Sequence, residues 1–253
     1  MDGKKPFLLK LLTLNTHKGF DTFNRRFVLH ELRDAVRSVS PDIVFLQEVI
    51  GVHARHARRH DNWPLLPQYE FLAESIWDSV AYGGNAMYRS GHHGNAVLSK
   101  YPIAHFRNHD ASIWRLEKRG FLHCVIGLGG TGLHVICAHL SLRESHRQRQ
   151  LQQLCELIEA EVPDSAPLVV AGDFNDWRGR AHRLLEQRAG LAEAFVESSG
   201  EAASSFPSRW PLLQLDRIYL RGARLCHSAV LRHRPWVRLS DHLPLYAEIG
   251  LDV

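Results

Sequence analysis

The chain of 253 residues carries 31 Lys and Arg against 27 Asp and Glu, and 45% of it is apolar. That composition excludes a disordered or low-complexity chain, and a net charge of +4 is too weak to argue for nucleic-acid binding by itself. The 17 histidines, about 7% of the residues, stand out, because imidazole titrates near neutrality and binds metals and phosphates.

In chain order, Lys10 interrupts the apolar run that follows the basic pair Lys4-Lys5, leaving it too short for a secretory leader. No later run is long enough to predict a transmembrane helix. Phe7 to Leu14 reads as a buried strand ending at Asn15. Leu29, Leu32, Val36 and Val39 fall at helical spacing, and Ser40-Pro41 stops that helix. Ile43 to Leu46 predicts a short buried strand ending at Gln47-Glu48. Segments 51–68 and 73–95 read as long loops, of the kind that carry function or partners. Asn95 to Ser99 predicts a strand. Phe121 to Ile126 and Leu133 to His139 predict a hairpin across the glycine-rich turn 127–132. A helix with Leu151, Leu154 and Ile158 on one face follows, opened by overlapping capping-box signals at Ser141/Glu144 and Ser145/Gln148. Leu168 to Gly172 predicts a buried strand ending at Asp173, and Leu215–Leu220, Leu225–Leu231 and Leu245–Ile249 close the series.

Strands outnumber helices, hairpins mix with strand–helix–strand units, and no linker or repeat intervenes. One α/β domain over residues 1–253, with two packed sheets and helices outside, is therefore expected. Cys124, Cys137, Cys155 and Cys226 lack CxxC spacing. That argues against zinc sites and a dense disulfide framework, and for reduced thiols in the cytoplasm.

Several strands end in a similar kind of polar residue: Asn15, Gln47-Glu48, His139, Asp173-Phe174-Asn175, with Asp216-Arg217 and Ser240-Asp241-His242 further on. Each alone has a bland reading as a turn residue, a solvated strand end or a loop cap. Together they make a rim of acids, amides and imidazoles, which suits Mg²⁺ or Mn²⁺ with His–Asp acid–base chemistry.

The ordered elements Leu14-Asn15-Thr16, Leu46-Gln47-Glu48, Gly94-Asn95-Ala96-Val97-Leu98-Ser99, His139-Leu140, Gly172-Asp173-Phe174-Asn175, Leu215-Asp216-Arg217-Ile218 and Ser240-Asp241-His242 span nearly the whole chain. In this order the sequence resembles the endonuclease/exonuclease/phosphatase superfamily. It is most similar to the short bacterial YbhP-type members, through Asn15-Thr16-His17-Lys18-Gly19-Phe20, Asn24-Arg25-Arg26-Phe27 and Gly91-His92-His93-Gly94-Asn95-Ala96.

The resemblance implies a four-layer α-β-β-α sandwich of two mixed, mainly antiparallel sheets, with the site at one edge. It also implies roles: Glu48 as main metal carboxylate with Asn15 and Asp241, and Asp173 and Asn175 orienting water and phosphoryl oxygens. It makes His242 the catalytic imidazole, fixed by Asp216, and His139 a second imidazole on phosphate or leaving group. Arg119 falls where relatives place a phosphate-binding side chain. The expected cofactor is Mg²⁺ or Mn²⁺ and the expected partner is a phosphate-ester substrate, either a nucleic acid or a phospholipid or sugar phosphate. A catalytically silent binding module is the competing class, and the complete motif set argues against it.

Arg- and His-rich segments lie outside the motifs: 51–60, 143–149 and 232–238. Arg238 and Trp236, close to Asp241 in sequence, are expected to contact the substrate. If the surplus histidines recognise an anion as imidazolium, substrate affinity falls between about pH 6 and 8.

Overall fold

The computed structural model describes residues 6–252; the basic pair Lys4-Lys5 lies outside them. The strands are β1 (Phe7–Asn15), β2 (Ile43–His53), β3 (Ser79–Tyr88), β4 (Gly91–Ser99), β5 (Ile103–Asp110), β6 (Gly120–Leu128), β7 (Thr131–His139), β8 (Leu168–Asp173), β9 (Ala192–Glu193), β10 (Asp216–Arg221), β11 (Arg224–Val230) and β12 (Leu245–Leu251). The helices are α1 (Leu29–Val39), α2 (Ala54–Ala57), α3 (Gln68–Ala73), α4 (Glu144–Glu161), α5 (Arg180–Ala189) and α6 (Ala194–Ser199). None among the described residues is long and apolar enough to cross a membrane.

Two six-stranded sheets form, in the orders β11-β12-β1-β2-β4-β3 and β5-β6-β7-β8-β10-β9. They pack face to face through Leu9, Leu11, Phe45 and Val97 on one side and Leu122, Val135, Val169 and Ile218 on the other. The alternate residues of the central strands are apolar too, because helices cover the outer faces. Leu12, Leu14, Val44 and Leu46 meet Leu29, Leu32 and Val36 of α1. Ile136, Ala138 and Val170 meet Leu151, Leu154 and Ile158 of α4 and Leu185 of α5. Removing each of the Leu, Ile, Val and Phe side chains among these from water stabilises the fold by about 1.5–3 kcal/mol. The four-layer α-β-β-α sandwich is therefore present.

Topology positions the site. The crossover through α1 sets β1 parallel to β2, with Asn15 opposite Gln47. The crossover through α4 sets β7 parallel to β8, with His139 opposite Asp173. The antiparallel β10 begins at the same edge, with Asp216 opposite Asp173. Gly172 permits the β7–β8 pairing to be this close: its φ is +146°, and a Cβ there would lie 1.9 Å from the Ala138 carbonyl oxygen.

Several local expectations are corrected. The segments read as long loops contain β3, the first half of β4 and the end of β2. β3 carries Gly83-Gly84 and no strict apolar alternation, while β5 is largely exposed along its length; neither gives a buried-strand signal. The capping boxes do not form: Arg143 occupies the N-cap of α4 without a side-chain cap bond. The Ser141 hydroxyl instead bonds Glu117, and Gln150 accepts from the Ser141 amide.

Candidate active site

Glu48 departs from a regular strand. Its φ is +58°, in the left-handed region, at a register shift between Leu46 and Val49 where β2 faces β4. Such a bulge bends the strand and re-aims a side chain, and a non-glycine residue held there points to a functional constraint. Glu48 opens onto a cavity of about 360 Å³. Asn15, Arg119, His139, Asp173, Asn175, Asp241 and His242 line the same cavity. Of the sequence-derived candidates, only Asp216, Arg238 and Trp236 are not among its walls.

Asp216 stands directly behind the cavity. Its Oδ2 is 2.8 Å from Nδ1 of His242 and accepts the Ser205 hydroxyl at 2.5 Å. The imidazole is thereby fixed with Nε2 turned toward Asp173, 3.9 Å from Oδ2. Asp173 is held from several sides. Asn15 Nδ2 donates to its Oδ2 at 3.1 Å and the Asn175 amide to its Oδ1 at 3.0 Å, and His139 Nε2 lies 3.5 Å from Oδ2. Asn175 has φ +50° and anchors its Nδ2 on the Leu140 carbonyl at 3.0 Å.

Electrostatics separates these groups. Burial, with the Asp216 charge beside it, pushes Asp173 well above the usual carboxylate range, although His242 opposes this. Burial alone would lower His242, but Asp216 and Asp173 outweigh it and raise that imidazole. Burial, with Arg119 and His242 nearby, holds His139 well below its ordinary value. Asp173, Asp216 and His242 place ligand-type atoms within 4.8 Å of one another. Because the His242–Asp216 contact is a short hydrogen bond within that group, it is better suited to moving a proton than to ligating an ion.

The other corner attracts cations. Burial by itself raises the Glu48 carboxyl, but the ammonium of Lys18 outweighs it and holds the group below its ordinary value. Lys18 Nζ stands 3.1 Å from Glu48 Oε2, and His17 Nδ1 lies 3.8 Å from Asp241 Oδ1. Glu48, Asp241 and Asn15 each bring an oxygen-bearing side chain to the cavity wall. These residues fit a hard divalent ion, and the Lys18 ammonium marks the local preference for positive charge.

The structure places Trp236 and Arg238 outside the cavity wall. Trp236 is 6% exposed and packs in the apolar cluster beneath the first sheet, because burial of the indole surface outweighs nearness in sequence to Asp241. Arg238 sits on an exposed turn and does not line the cavity. Arg147, read as part of a basic patch, is 1% exposed and spends its guanidinium on Glu144 and the carbonyls of Ser141 and Leu142. The imidazolium reading of the surplus histidines is corrected in part. Burial and neighbouring cations hold His56 and His93 at about 4, so neither is charged near neutrality.

Sequence reasoning missed Ser205, Glu117, Phe206 and Trp177. Ser205 and Glu117 act through Asp216 and Arg119, with Arg119 Nη2 3.2 Å from Glu117 Oε1, and no local pattern announces such support. Trp177 lines the cavity; its place two residues after Asn175 was an available signal.

A family model described as Endonuclease/Exonuclease/phosphatase family matches residues 12–242. The chain belongs to this endonuclease/exonuclease/phosphatase family. It is 54% identical over 252 residues to the uncharacterized protein YbhP of Escherichia coli (strain K12), covering 99% of each chain. Among solved structures, D. rerio TDP2 complexed with single-strand DNA product aligns at TM-score 0.70 and 17% identity, covering 96% of this chain and 98% of that one. The Bacteroides thetaiotaomicron mannosyl-6-phosphatase Bt3783 aligns at TM-score 0.71 and 15% identity, covering 95% and 99%. At these identities the endonuclease/exonuclease/phosphatase structures speak for the fold.

Proposed function

We propose that the chain is a divalent-metal-dependent phosphoesterase, acting first on phosphodiesters, and that residues 1–253 form one catalytic domain. The observation that carries this reading is a single cavity whose walls include Glu48, Asp241 and Asn15 together with Asp173, His242 and His139. Mg²⁺ or Mn²⁺ held by Glu48, Asp241 and Asn15 would supply positive charge to the phosphoryl oxygens.

The chain's own residues do the rest. Asp173, raised toward neutrality by burial, takes the proton of the attacking water, which is the poise a base needs near pH 7. Asn175, fixed through one amide hydrogen, keeps its other hydrogen and its Oδ1 to align that water. His242 is favoured in its charged form by Asp216, so it faces the phosphoryl oxygens as a cationic donor. Neutral His139 donates or accepts a hydrogen bond at the ester oxygen. Arg119 is anchored by Leu140 and Glu117 and keeps N–H groups free for phosphate.

A second reading, with nucleic acid as the substrate, is favoured by Trp177, a wall of the cavity that Arg178 covers at 4.4 Å. Elsewhere on the molecule Arg143 stacks over Trp114 at 4.9 Å and Arg209 over Phe23 at 4.8 Å. Aromatic faces beside cations are what successive bases and phosphates use.

The test is phosphate or diester release from nucleic acids, phospholipids and sugar phosphates with Mg²⁺, Mn²⁺ or EDTA. Glu48→Ala and His242→Ala are each expected to lower kcat by about 10²–10⁴-fold. Activity in EDTA, or activity that survives Glu48→Ala, overturns the mechanism.

A further inference from the structure

A second group of histidines gathers on the outer face of the second sheet, away from the cavity. Arg107 of β5 lies opposite His123 of β6, and His123 lies opposite Ile136 of β7. By the two-residue period of a strand, His109, His123 and His134 therefore share this outer face. Glu161, the last residue of α4, closes over them.

The distances are those of a coordination shell. Glu161 Oε2 is 3.3 Å from His109 Nε2 and 3.3 Å from His123 Nδ1. Three donor atoms, one from each residue, lie within 4.8 Å of one another. Ligands about 2.0–2.1 Å from a tetrahedral ion are separated by about 3.3 Å, the edge of that tetrahedron. His109 Nε2 is buried and makes no hydrogen bond, although a carboxylate stands beside it. That nitrogen thus lacks a well-aligned hydrogen-bond partner.

The surroundings complete the picture. His123 Nδ1 lies 3.3 Å from the accepting Glu161 Oε2 and its Nε2 lies 3.0 Å from His134 Nδ1, so an ion at Nδ1 would shift the ring proton to Nε2, where His134 can accept it. That is the usual support for a metal-bound imidazole. Arg107 Nη1 holds the other carboxylate oxygen, Oε1, at 3.3 Å. Burial keeps His109, His123 and His134 below the ordinary imidazole value, which favours the neutral ring, with one nitrogen bare, that ligation needs.

We propose that His109, His123 and Glu161 bind a transition-metal ion, Zn²⁺ first, with a water in the fourth position. Two imidazole nitrogens and one carboxylate oxygen select zinc over the hard ions suited to the cavity. The missing CxxC pairs argue only against thiolate ligation. The ion would tie the C-terminal end of α4 to β5 and β6, a structural role separate from hydrolysis.

The test is equilibrium dialysis of the full chain against Zn²⁺ in excess Mg²⁺, which occupies oxygen-only sites. Wild type and Glu48→Ala are each expected to retain one tightly bound Zn²⁺. Glu161→Gln and His109→Ala, whose side chains are 31% and 19% exposed and so spare the core, are expected to lose it. His134→Phe is expected to weaken it by about 10–100-fold. Zn²⁺ should also raise the melting temperature of wild type and not of Glu161→Gln. No tight Zn²⁺ in wild type, or equal retention by Glu161→Gln and His109→Ala, overturns the proposal. Loss in Glu48→Ala alone does so too, by assigning the ion to the cavity.

Discussion

Imidazoles meet carboxylates in two places in this molecule, with opposite results. At the cavity, His242 faces Asp216 and Asp173 together, and their charges raise it in spite of burial. On the outer face, His109 and His123 share the single carboxylate of Glu161 with Arg107. There burial wins and both imidazoles are lowered. The ratio of carboxylates to cations, more than burial, decides whether a histidine is a proton carrier or a lone-pair donor. Under the two proposals above, the same residue type would support acid–base chemistry in one place and metal ligation in the other.

The comparison can be broken most sharply at Asp216. Asp216→Asn keeps the shape and removes the charge that raises His242. We expect kcat to fall by about 10²–10⁴-fold in metal-saturated assays, with an unchanged far-ultraviolet spectrum. Wild-type turnover in this variant would mean that His242 needs no charged partner.

A smaller effect, on stability alone, is expected at Trp236. Trp236→Ala should lower the unfolding free energy by about 3–5 kcal/mol in denaturant titrations, while kcat/KM of the folded protein stays within about twofold of wild type. A selective loss of kcat/KM would return Trp236 to the substrate site.

The smallest effect concerns a third histidine group. Burial lowers both His53 and His56, the latter to about 4. The unfolded chain therefore binds protons more readily once pH drops below about 6.5. Stability from these two groups is complete above that value and declines toward about pH 4. Urea midpoints should fall between pH 7 and 5, and His53→Asn with His56→Asn should flatten the slope. An unchanged slope would assign it to other groups.

The motif elements were legible because their polar residues end, interrupt or adjoin strands with apolar runs: Asn15, His139 and Asp173 end β1, β7 and β8, Glu48 sits at the bulge of β2, Asp216 opens β10 and His242 lies just before β12. Topology then brought Asn15, Glu48, His139 and Asp173 to one edge, as their common place at strand ends suggested. Trp236 misled because nearness in sequence to Asp241 says nothing about which side of the turn a side chain takes. Ser205 and Glu117 were invisible because each matters only through a partner distant in sequence. β5 escaped because exposed strands carry no apolar pattern. The histidine surplus was visible as a count, but its division into groups depends on which strands lie side by side.

The cavity straddles the seam between the sheets. Asn15 of β1 bonds Asp173 of β8, Gln47 of β2 reaches Cys137 of β7, and His242, just before β12, bonds Asp216 of β10. Each sheet thus supplies only part of the cavity wall, and the apolar layer between them sets how the two parts align. A slip of one sheet over the other, too small to break either ladder of backbone hydrogen bonds, would still uncouple the two halves. Gentle warming should therefore silence the protein while both sheets remain intact.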